Sequence, residues 1–241
     1  MQKIKPGGIN LRDERLKEML VQGAAELGVP LDEAMADKLL VYKDFLKEYS
    51  KKVNLTSITE DKGIIIKHFF DSMTVLPEME ISSGTKIVDI GTGAGFPGIV
   101  LKILHPGAEL ALVDSTRKKI RFLEELAAKL GLEGVVCIHA RAEDLPRQET
   151  SFAEGFDYAV SRAVAPLPKL AGYCLPFVRA GGEFIAMKGR NYEEELAYAQ
   201  KAIEHYGGRV IGVREAALPE SDIAHSIIRI KKINSKNFSR L

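Results

Sequence analysis

The chain has 241 residues, of which 46% are hydrophobic and 28% charged, and its formal net charge is +1 at pH 7. This composition is typical of a globular protein with a sizeable core, and the near-zero charge excludes nucleic-acid binding driven by bulk charge, so such a partner would need a local basic face. No stretch approaches the roughly 20 apolar residues that span a bilayer, and the first residues contain no apolar signal core, so we expect a cytoplasmic protein without a membrane partner. The two cysteines, Cys137 and Cys174, lack CxxC spacing, which argues against a disulfide framework and against cysteine-ligated zinc, and no metal site is predicted.

The first third of the sequence predicts helices. Three segments carry apolar residues at helical spacing, and they span 11–28, 31–50 and 61–77. Asp32 is placed to cap the second segment at its N-terminus, and Pro77 ends the third. We therefore expect residues 1–80 to form a helical extension.

From about Lys86 the pattern changes to short apolar runs that alternate with amphipathic stretches. Alternating strands and helices predict a mostly parallel sheet with helices on both faces. Two closing β-like runs without a long helix between them predict an antiparallel hairpin at one edge, which brings the strands to seven. The expected fold class is thus α/β: the helical extension packs on a domain over 81–233, and a basic tail follows at 234–241.

The stretch VDIGTGAGFPG at 88–98 places an acid, Asp89, at the end of the first predicted strand and glycines directly after it. Ligands of open parallel sheets bind beyond the carboxyl ends of the strands, and Gly91, Gly93 and Gly95 can turn tightly and present backbone N–H groups there. The stretch contains GxGxxG, so a dinucleotide site is the rival interpretation, although that pattern alone is weak. The longer Asp-x-Gly-x-Gly-x-Gly resembles the first motif of class I S-adenosylmethionine-dependent methyltransferases, which implies that Asp89 lies near the cationic part of that cofactor. Capping of the loop by Asp89 is the structural alternative.

Two further loops follow predicted strands at the same edge. Asp114, with Ser115 beside it, stands at the tip of the second strand, where a carboxylate accepts both ribose hydroxyls of an adenosine group in NAD and S-adenosylmethionine sites alike. Capping of the next helix is the alternative for Asp114. Ala142 and Glu143 follow the third strand, where a methyltransferase loop would flank the adenine ring, and a solvated acidic loop is the alternative. Phe96 is expected to pack against the cofactor or to anchor the start of a helix.

The fourth predicted strand ends in Ser161-Arg162-Ala163, where many methyltransferases carry a catalytic motif. This is not the Asn/Asp-Pro-Pro-Tyr/Phe pattern of enzymes that methylate base amines, nor does it hold the cysteine nucleophile of cytosine-C5 enzymes. Neither Cys137 nor Cys174 lies in surroundings that activate a thiol. The absence of both kinds of apparatus suits guanine N7, whose lone pair carries no proton, so that catalysis is mainly positioning.

Seven stretches together carry a resemblance to a known family. They are NLTSI at 54–58, KHFFDSM at 67–73, VDIGTGAGFPGIVL at 88–101, VDSTRKKIRFL at 113–123, RAEDL at 141–145, SRAVAPL at 161–167 and MKG at 187–189. In combination they closely resemble the bacterial small-subunit ribosomal RNA methyltransferase G family, also called glucose-inhibited division protein B. The resemblance implies a Rossmann-like class I methyltransferase fold, S-adenosylmethionine as cofactor, and N7 methylation of one guanosine in 16S rRNA.

Motif and resemblance together give the predicted site. The expected cofactor contacts are Asp89, Gly91, Gly93, Gly95, Phe96, Asp114, Ser115, Ala142, Glu143 and Arg162. The candidates for RNA contact are Asn54, Thr56, His68, Asp71, Arg117, Lys118, Lys119 and Lys188; helix or loop capping, a satisfied buried histidine and a solvated basic face are the alternatives for them. Arg162 and Lys188 are expected to position the reactants, and a salt bridge to Asp157 or to a loop acid is the alternative for Arg162.

Two other functions remain open on the sequence alone. An NAD(P)-dependent oxidoreductase is the enzymatic rival, although a recognisable catalytic Tyr/Lys pair is lacking. A ribosome-assembly protein that binds the cofactor without turnover is the rival of another class. The expected partner is 16S rRNA or the small ribosomal subunit, and because the sequence shows no coiled-coil seam, a monomer without an obligate protein partner is expected.

Overall fold

The computed structural model describes residues 11–145, 155–162 and 164–233. Within them the strands form one seven-stranded sheet in the order β3-β2-β1-β4-β5-β7-β6. The strands are β1 (Lys86–Ile90), β2 (Glu109–Asp114), β3 (Val135–His139), β4 (Phe156–Arg162), β5 (Val178–Lys188), β6 (Gly208–Ala217) and β7 (Ala224–Lys232). The first five pair in parallel, whereas β7 runs antiparallel to both β5 and β6. The predicted parallel sheet with a C-terminal antiparallel hairpin is confirmed.

This strand order decides which distant residues meet. Asp114, Arg162 and Lys188 each end a parallel strand, so they lie along one edge of the sheet. Because β7 is antiparallel, its first residues reach that same edge, and Ser226 is the register partner of Lys188. We refer to this edge as the strand-tip edge.

The helices cover both faces of the sheet, because alternate residues of β1 belong to different apolar clusters, Ile87 to one and Val88 to the other. They are α1 (Leu11–Glu26), α2 (Glu33–Ser50), α3 (Asp61–Ile64), a π-helix (Ile65–Phe70), α4 (Asp71–Met73), a 3-10 helix (Leu76–Glu78), α5 (Gly98–Leu104), α6 (Arg117–Leu130), α7 (Leu167–Cys174) and α8 (Glu193–His205). The predicted cap of α2 is present, since Asp32 Oδ1 accepts the N–H of Met35 at 2.7 Å.

The N-terminal helices are part of the main core. Tyr42 and Phe69 are fully buried in the same apolar cluster as Phe96, and burial of a ring such as that of Phe69 contributes about 1.5–3 kcal/mol. At Gly23 of α1, an added Cβ would lie 2.1 Å from the ring of Phe70, so the close approach of α1 depends on a glycine. The helical extension therefore packs on the sheet domain, while its predicted boundary at residue 80 stays a prediction.

The third helical segment contains a π-helix that the sequence pattern does not predict. The N–H of Asp71 bonds to the carbonyl of Ile66, five residues earlier, and to that of His68. An α-helix would instead pair this N–H with the carbonyl of Lys67. The wider turn leaves the Lys67 carbonyl available for a side chain from another element.

None of the helices in the described parts of the chain has the length and apolar character needed to cross a membrane. The predicted basic tail at 234–241 lies outside the described residues, as does Ala163 of the motif at the end of β4.

Candidate active site

The glycine loop joins β1 to α5 through left-handed backbone, with φ of +70° at Gly91, +62° at Gly93 and +99° at Gly95. An added Cβ would lie 2.4 Å from Val164 Cγ2 at Gly91 and 2.8 Å from Tyr42 Oη at Gly95. These two glycines are therefore required by packing as well as by backbone conformation. At Gly93 the nearest atom would be the carbonyl oxygen of Gly91 at 3.9 Å, so the loop leaves room for a ligand there.

Asp89 is fully buried near the end of β1. Its Oδ2 accepts the N–H of Gly98 and the hydroxyl of Thr92, both at 2.8 Å, so this carboxylate holds the loop in place. Its Oδ1 is buried and has no hydrogen-bond partner among the described residues. Burial raises the pKa of Asp89 to about 6, because the charged form loses its hydration. The geometry supports the loop-capping alternative and also leaves one acceptor for a cationic group.

Asp114 connects the glycine loop to α6. Its Oδ2 accepts the N–H of Gly93 at 3.0 Å and its Oδ1 accepts the N–H of Thr116 at 2.8 Å, while Lys119 Nζ lies 3.6 Å from Oδ2. The helix-capping role is thus present. A carboxylate offers about four lone-pair sites, so capping does not exhaust its acceptors, and the ribose contact stays a prediction, as does a cofactor contact for the exposed Ser115.

Phe96 fixes the glycine loop against the helical extension. Its buried ring stacks on Tyr42, with ring centroids 5.0 Å apart, and on His68, with centroids 4.5 Å apart. The guanidinium carbon of Arg162 lies 5.0 Å from the centre of the same ring, within cation–π range. Phe96 therefore anchors the loop that leads into α5 and brings Arg162 beside it, while its contact with the cofactor stays a prediction.

Arg162 is the centre of a polar cluster at the strand-tip edge. Its Nη1 donates to Asp71 Oδ2 at 2.7 Å and to the freed carbonyl of Lys67 at 3.1 Å, and its Nη2 lies 3.3 Å from His68 Nδ1. Asp157, the acid considered from the sequence, lies in a different ion pair. The salt bridge of Arg162 is thus made with Asp71, and it fixes the guanidinium between the π-helix and β4.

Two histidines flank Asp71 and titrate differently. Burial and the charge of Arg162 lower the pKa of His68 to about 4, so its ring, whose Nε2 lies 2.9 Å from Thr56 Oγ1, is neutral at pH 7. His225 Nδ1 lies 2.5 Å from Asp71 Oδ1, and this hydrogen bond raises the pKa of His225. Burial alone would raise the pKa of Asp71, but His225 and Arg162 together hold it below its usual range.

A cavity of about 350 Å³ opens beside this cluster. Its walls are formed by Lys67, His68, Asp71, Arg162, Met187, Lys188, Gly189 and His225. The ammonium of Lys188 lies 2.7 Å from Glu195 Oε1 and donates to the carbonyl of Ala165 at 3.1 Å, so it braces the loop that follows β4. Four residues predicted for the site thus share one cavity.

Sequence reasoning did not assign Lys67, Met187, Gly189 or His225 to the site, and of these His225 makes the strongest contact with a predicted residue. His225 lies at the start of β7, and only the antiparallel direction of that strand brings it to the strand-tip edge. The signal in the sequence is slight: a histidine near the beginning of the last β-like run, directly after a polar turn. Tyr42 was read only as part of an apolar helix face, although its ring supports Phe96.

Other predicted residues do not line this cavity. Ala142 is half-buried and Glu143 exposed in the loop after β3, Arg117 and Lys118 are exposed at the start of α6, and Asn54 is exposed before α3. Their roles in binding cofactor or RNA stay predictions.

Solved structures share the fold at low sequence identity. TrmN from Thermus thermophilus superposes with a TM-score of 0.55 and 17% identity, covering 80% of this chain and 53% of that chain. TYW2 from M. jannaschii, solved in complex with AdoMet, gives a TM-score of 0.51 and 17% identity over 63% of this chain and 71% of that one. At these identities the likeness concerns the fold alone, and it confirms the predicted class I methyltransferase architecture.

Curated relatives are much closer in sequence. The Ribosomal RNA small subunit methyltransferase G of Alkaliphilus oremlandii is 49% identical over 90% of this chain and 91% of that protein. The protein of the same name from Alkaliphilus metalliredigens is 46% identical over 90% of each chain. The family described as GidB, rRNA small subunit methyltransferase G, matches residues 35–223. The chain therefore belongs to the rRNA small subunit methyltransferase G family.

Proposed function

We propose that this chain transfers a methyl group from S-adenosylmethionine to N7 of one guanosine in the 16S rRNA of the small ribosomal subunit. The observation that carries the proposal is the cavity at the strand-tip edge, where Arg162 joins the glycine loop to a polar pocket in a chain of this family. Nothing in the comparisons supports the oxidoreductase or the non-catalytic alternative.

S-adenosylmethionine is the cofactor of this methyltransferase family, and the residues of the strand-tip edge fit it. The unpartnered Oδ1 of Asp89 suits the cationic amino-acid part, Gly93 leaves room for close approach, and Asp114 retains acceptor sites for ribose hydroxyls. The predicted adenine neighbours are Ala142 and Glu143. When bound, the cofactor supplies an electrophilic methyl group.

Methyl transfer to guanine N7 requires that the protein align the base with the methyl group. It does not require a residue that removes a proton, because the attacking lone pair carries none. Burial raises the pKa of Cys137 to about 11 and that of Cys174 well above its usual range, so both are thiols at neutral pH and poor nucleophiles. Arg162 and Lys188 are each held by a neighbouring carboxylate. They are positioning residues, and the transfer is direct, without a covalent enzyme–RNA intermediate.

The RNA is proposed to bind over a surface that joins the helical extension to the strand-tip edge. Lys67, Arg117 and Lys118 are exposed cations of this region, and the near-zero net charge implies a small number of phosphate contacts with modest salt dependence. Lys119 differs from its neighbours because it lies 3.6 Å from Asp114. A substitution of Lys119 would therefore disturb a predicted cofactor contact, and RNA binding is better tested at Arg117 and Lys118.

We further propose that the chain is divided into an extension (1–80), a methyltransferase domain (81–233) and a basic tail (234–241).

We also propose that the protein acts in the bacterial cytoplasm, where ribosomal subunits are found, and that it is a monomer without an obligate protein partner. Light scattering of the purified protein tests the monomer, and a dimer at micromolar concentration would contradict it.

The function is tested by incubating the purified protein and methyl-labelled S-adenosylmethionine with small subunits from cells that lack the gene. Mass mapping of the digested 16S rRNA is expected to find one 7-methylguanosine that depends on the protein. Methylation at another atom or in another RNA would refute the proposed substrate. Tight cofactor binding without any transfer would instead favour the assembly-factor alternative.

A further inference from the structure

The cavity beside Arg162 contains a ring nitrogen that is left for a ligand. Nδ1 of His225 is occupied by Asp71 at 2.5 Å, whereas Nε2 has no partner within the part of the chain that the structure describes. The His225 side chain is 32% exposed and lines the cavity. Asp71 therefore fixes the orientation of the ring, and the opposite nitrogen remains free to bond.

Apart from Lys67, the other polar side chains of the cavity wall already have at least one partner among the described residues. Arg162 donates to Asp71 and to the carbonyl of Lys67, and Lys188 is held by the loop after β4 and by α8. His68 is neutral at pH 7 because burial and Arg162 lower its pKa to about 4. Lys67 itself is exposed, which suits a phosphate better than a buried base edge.

The chemistry of the target explains why one free donor matters. A guanine that presents N7 for methylation presents O6 beside it on the same edge, and both are acceptors. N7 must stay free of donors because its lone pair forms the new bond. A single donor that bonds to O6 orients the base and leaves N7 free to react. Adenine carries an amino group at that position, which cannot accept such a bond.

On the basis of the function proposed above, we propose that His225, held by Asp71, orients the target guanine by donating its Nε2–H to O6. The donor is the imidazolium, because the neutral ring with its proton on Nδ1 offers only an acceptor at Nε2. The Asp71 carboxylate is shared between this imidazolium and the guanidinium of Arg162, so the three side chains together carry a net charge of +1.

This role makes the RNA-dependent step sensitive to pH. The hydrogen bond to Asp71 raises the pKa of His225, against the effects of burial and of Arg162. The other charged or titratable groups near it are Lys67 and His68 on the π-helix, Lys188 on β5, and Glu215 and Arg214 on β6, which pair in register with the residues after His225. Because the donor exists only below the raised pKa of His225, methylation is expected to fall as the pH rises through that value.

The test is single-turnover methylation of small subunits by cofactor-saturated protein between about pH 6 and pH 9. In the wild type we expect the rate to fall with rising pH. His225→Gln replaces the charged donor by a neutral amide N–H, so it is expected to lower the rate at the acid end roughly 10-fold and to flatten the profile. His225→Lys supplies a cation throughout this range and is expected to exceed His225→Gln at the alkaline end; failure to do so, or a wild-type rate and profile in His225→Gln, would overturn the proposal.

Matched controls separate this role from folding and from the proposed function itself. His205→Gln changes an exposed histidine of α8 outside the cavity and is expected to keep the wild-type profile. Calorimetry is expected to show unchanged S-adenosylmethionine affinity in His225→Gln, and a large loss of affinity there would place His225 in the cofactor site and overturn the base contact. If RNA binding depended less on salt in His225→Gln than in the wild type, His225 would bind a phosphate, and the proposed contact with the base would be overturned. A wild type that binds cofactor but forms no 7-methylguanosine at any pH would instead refute the proposed function.

Discussion

Asp71 is the side chain on which the arrangement of the site depends most. It is 1% exposed and lies 2.7 Å from Arg162 and 2.5 Å from His225. The substitution Asp71→Asn keeps its shape but removes the charge that both partners face. Removing one partner of a buried ion pair lowers the free energy of unfolding by about 3–5 kcal/mol. Because Asn keeps one hydrogen-bond acceptor, we expect Asp71→Asn to lower it by about 3 kcal/mol. For a chain of this size that corresponds to a fall in Tm of about 6–12 °C.

The loss of unfolding free energy in Asp71→Asn is expected to depend on pH. The pKa of Asp71 is lowered in the fold, so its contribution is present above the ordinary Asp value and is lost as the pH falls through the lowered one. The pKa of His225 is raised, so its contribution is present below the ordinary His value and is lost as the pH rises through the raised one. The free energy of unfolding of the wild type therefore exceeds that of Asp71→Asn by the largest amount between the ordinary pKa of Asp and the ordinary pKa of His. Above the raised pKa of His225, this excess shrinks to the part that the ion pair with Arg162 contributes.

Calorimetric unfolding of both proteins across this pH range measures the effect. Glu48→Gln is the control, because it removes an ion pair with Lys51 in which both side chains are more than half exposed, and exposed pairs contribute little. Its Tm is expected to match that of the wild type. A Tm of Asp71→Asn within about 2 °C of the wild type at neutral pH would show that the cluster does not hold the site together.

Three further results are expected. Asp114→Ala is expected to weaken S-adenosylmethionine binding in calorimetry roughly 10–150-fold through loss of charge-assisted hydrogen bonds, and an unchanged affinity would place Asp114 outside the cofactor site. Charge reversal at Arg117 and Lys118 together is expected to reduce methylation of small subunits and the salt dependence of binding; if neither changes, that end of α6 is only solvated. The double variant Cys137→Ala and Cys174→Ala is expected to keep substantial single-turnover activity when folded and cofactor-saturated, whereas an inactive but folded variant would contradict direct transfer.

Features that depend on neighbouring residues were readable in the sequence. The glycine loop could be placed because an apolar run ending in Asp89 precedes glycines that take left-handed backbone, and the cap at Asp32 rests on a contact only three residues long. The alternation of strands and helices, with a closing pair of strands, was enough for the fold class, since a parallel sheet needs such crossovers. The fold and the glycine loop were therefore accessible from periodicity and turn chemistry.

The partners in the site come from contacts that no local pattern contains. Arg162 meets Asp71 across 91 residues, and Asp71 meets His225 across 154. These contacts exist because β7 enters the sheet antiparallel beside β5 and because the π-helix frees one carbonyl for Arg162. The sequence supplied the residue types of the proposed site. Burial lowers the pKa of His68 and the hydrogen bond to Asp71 raises that of His225, because desolvation and ion pairing arise only once the chain has folded.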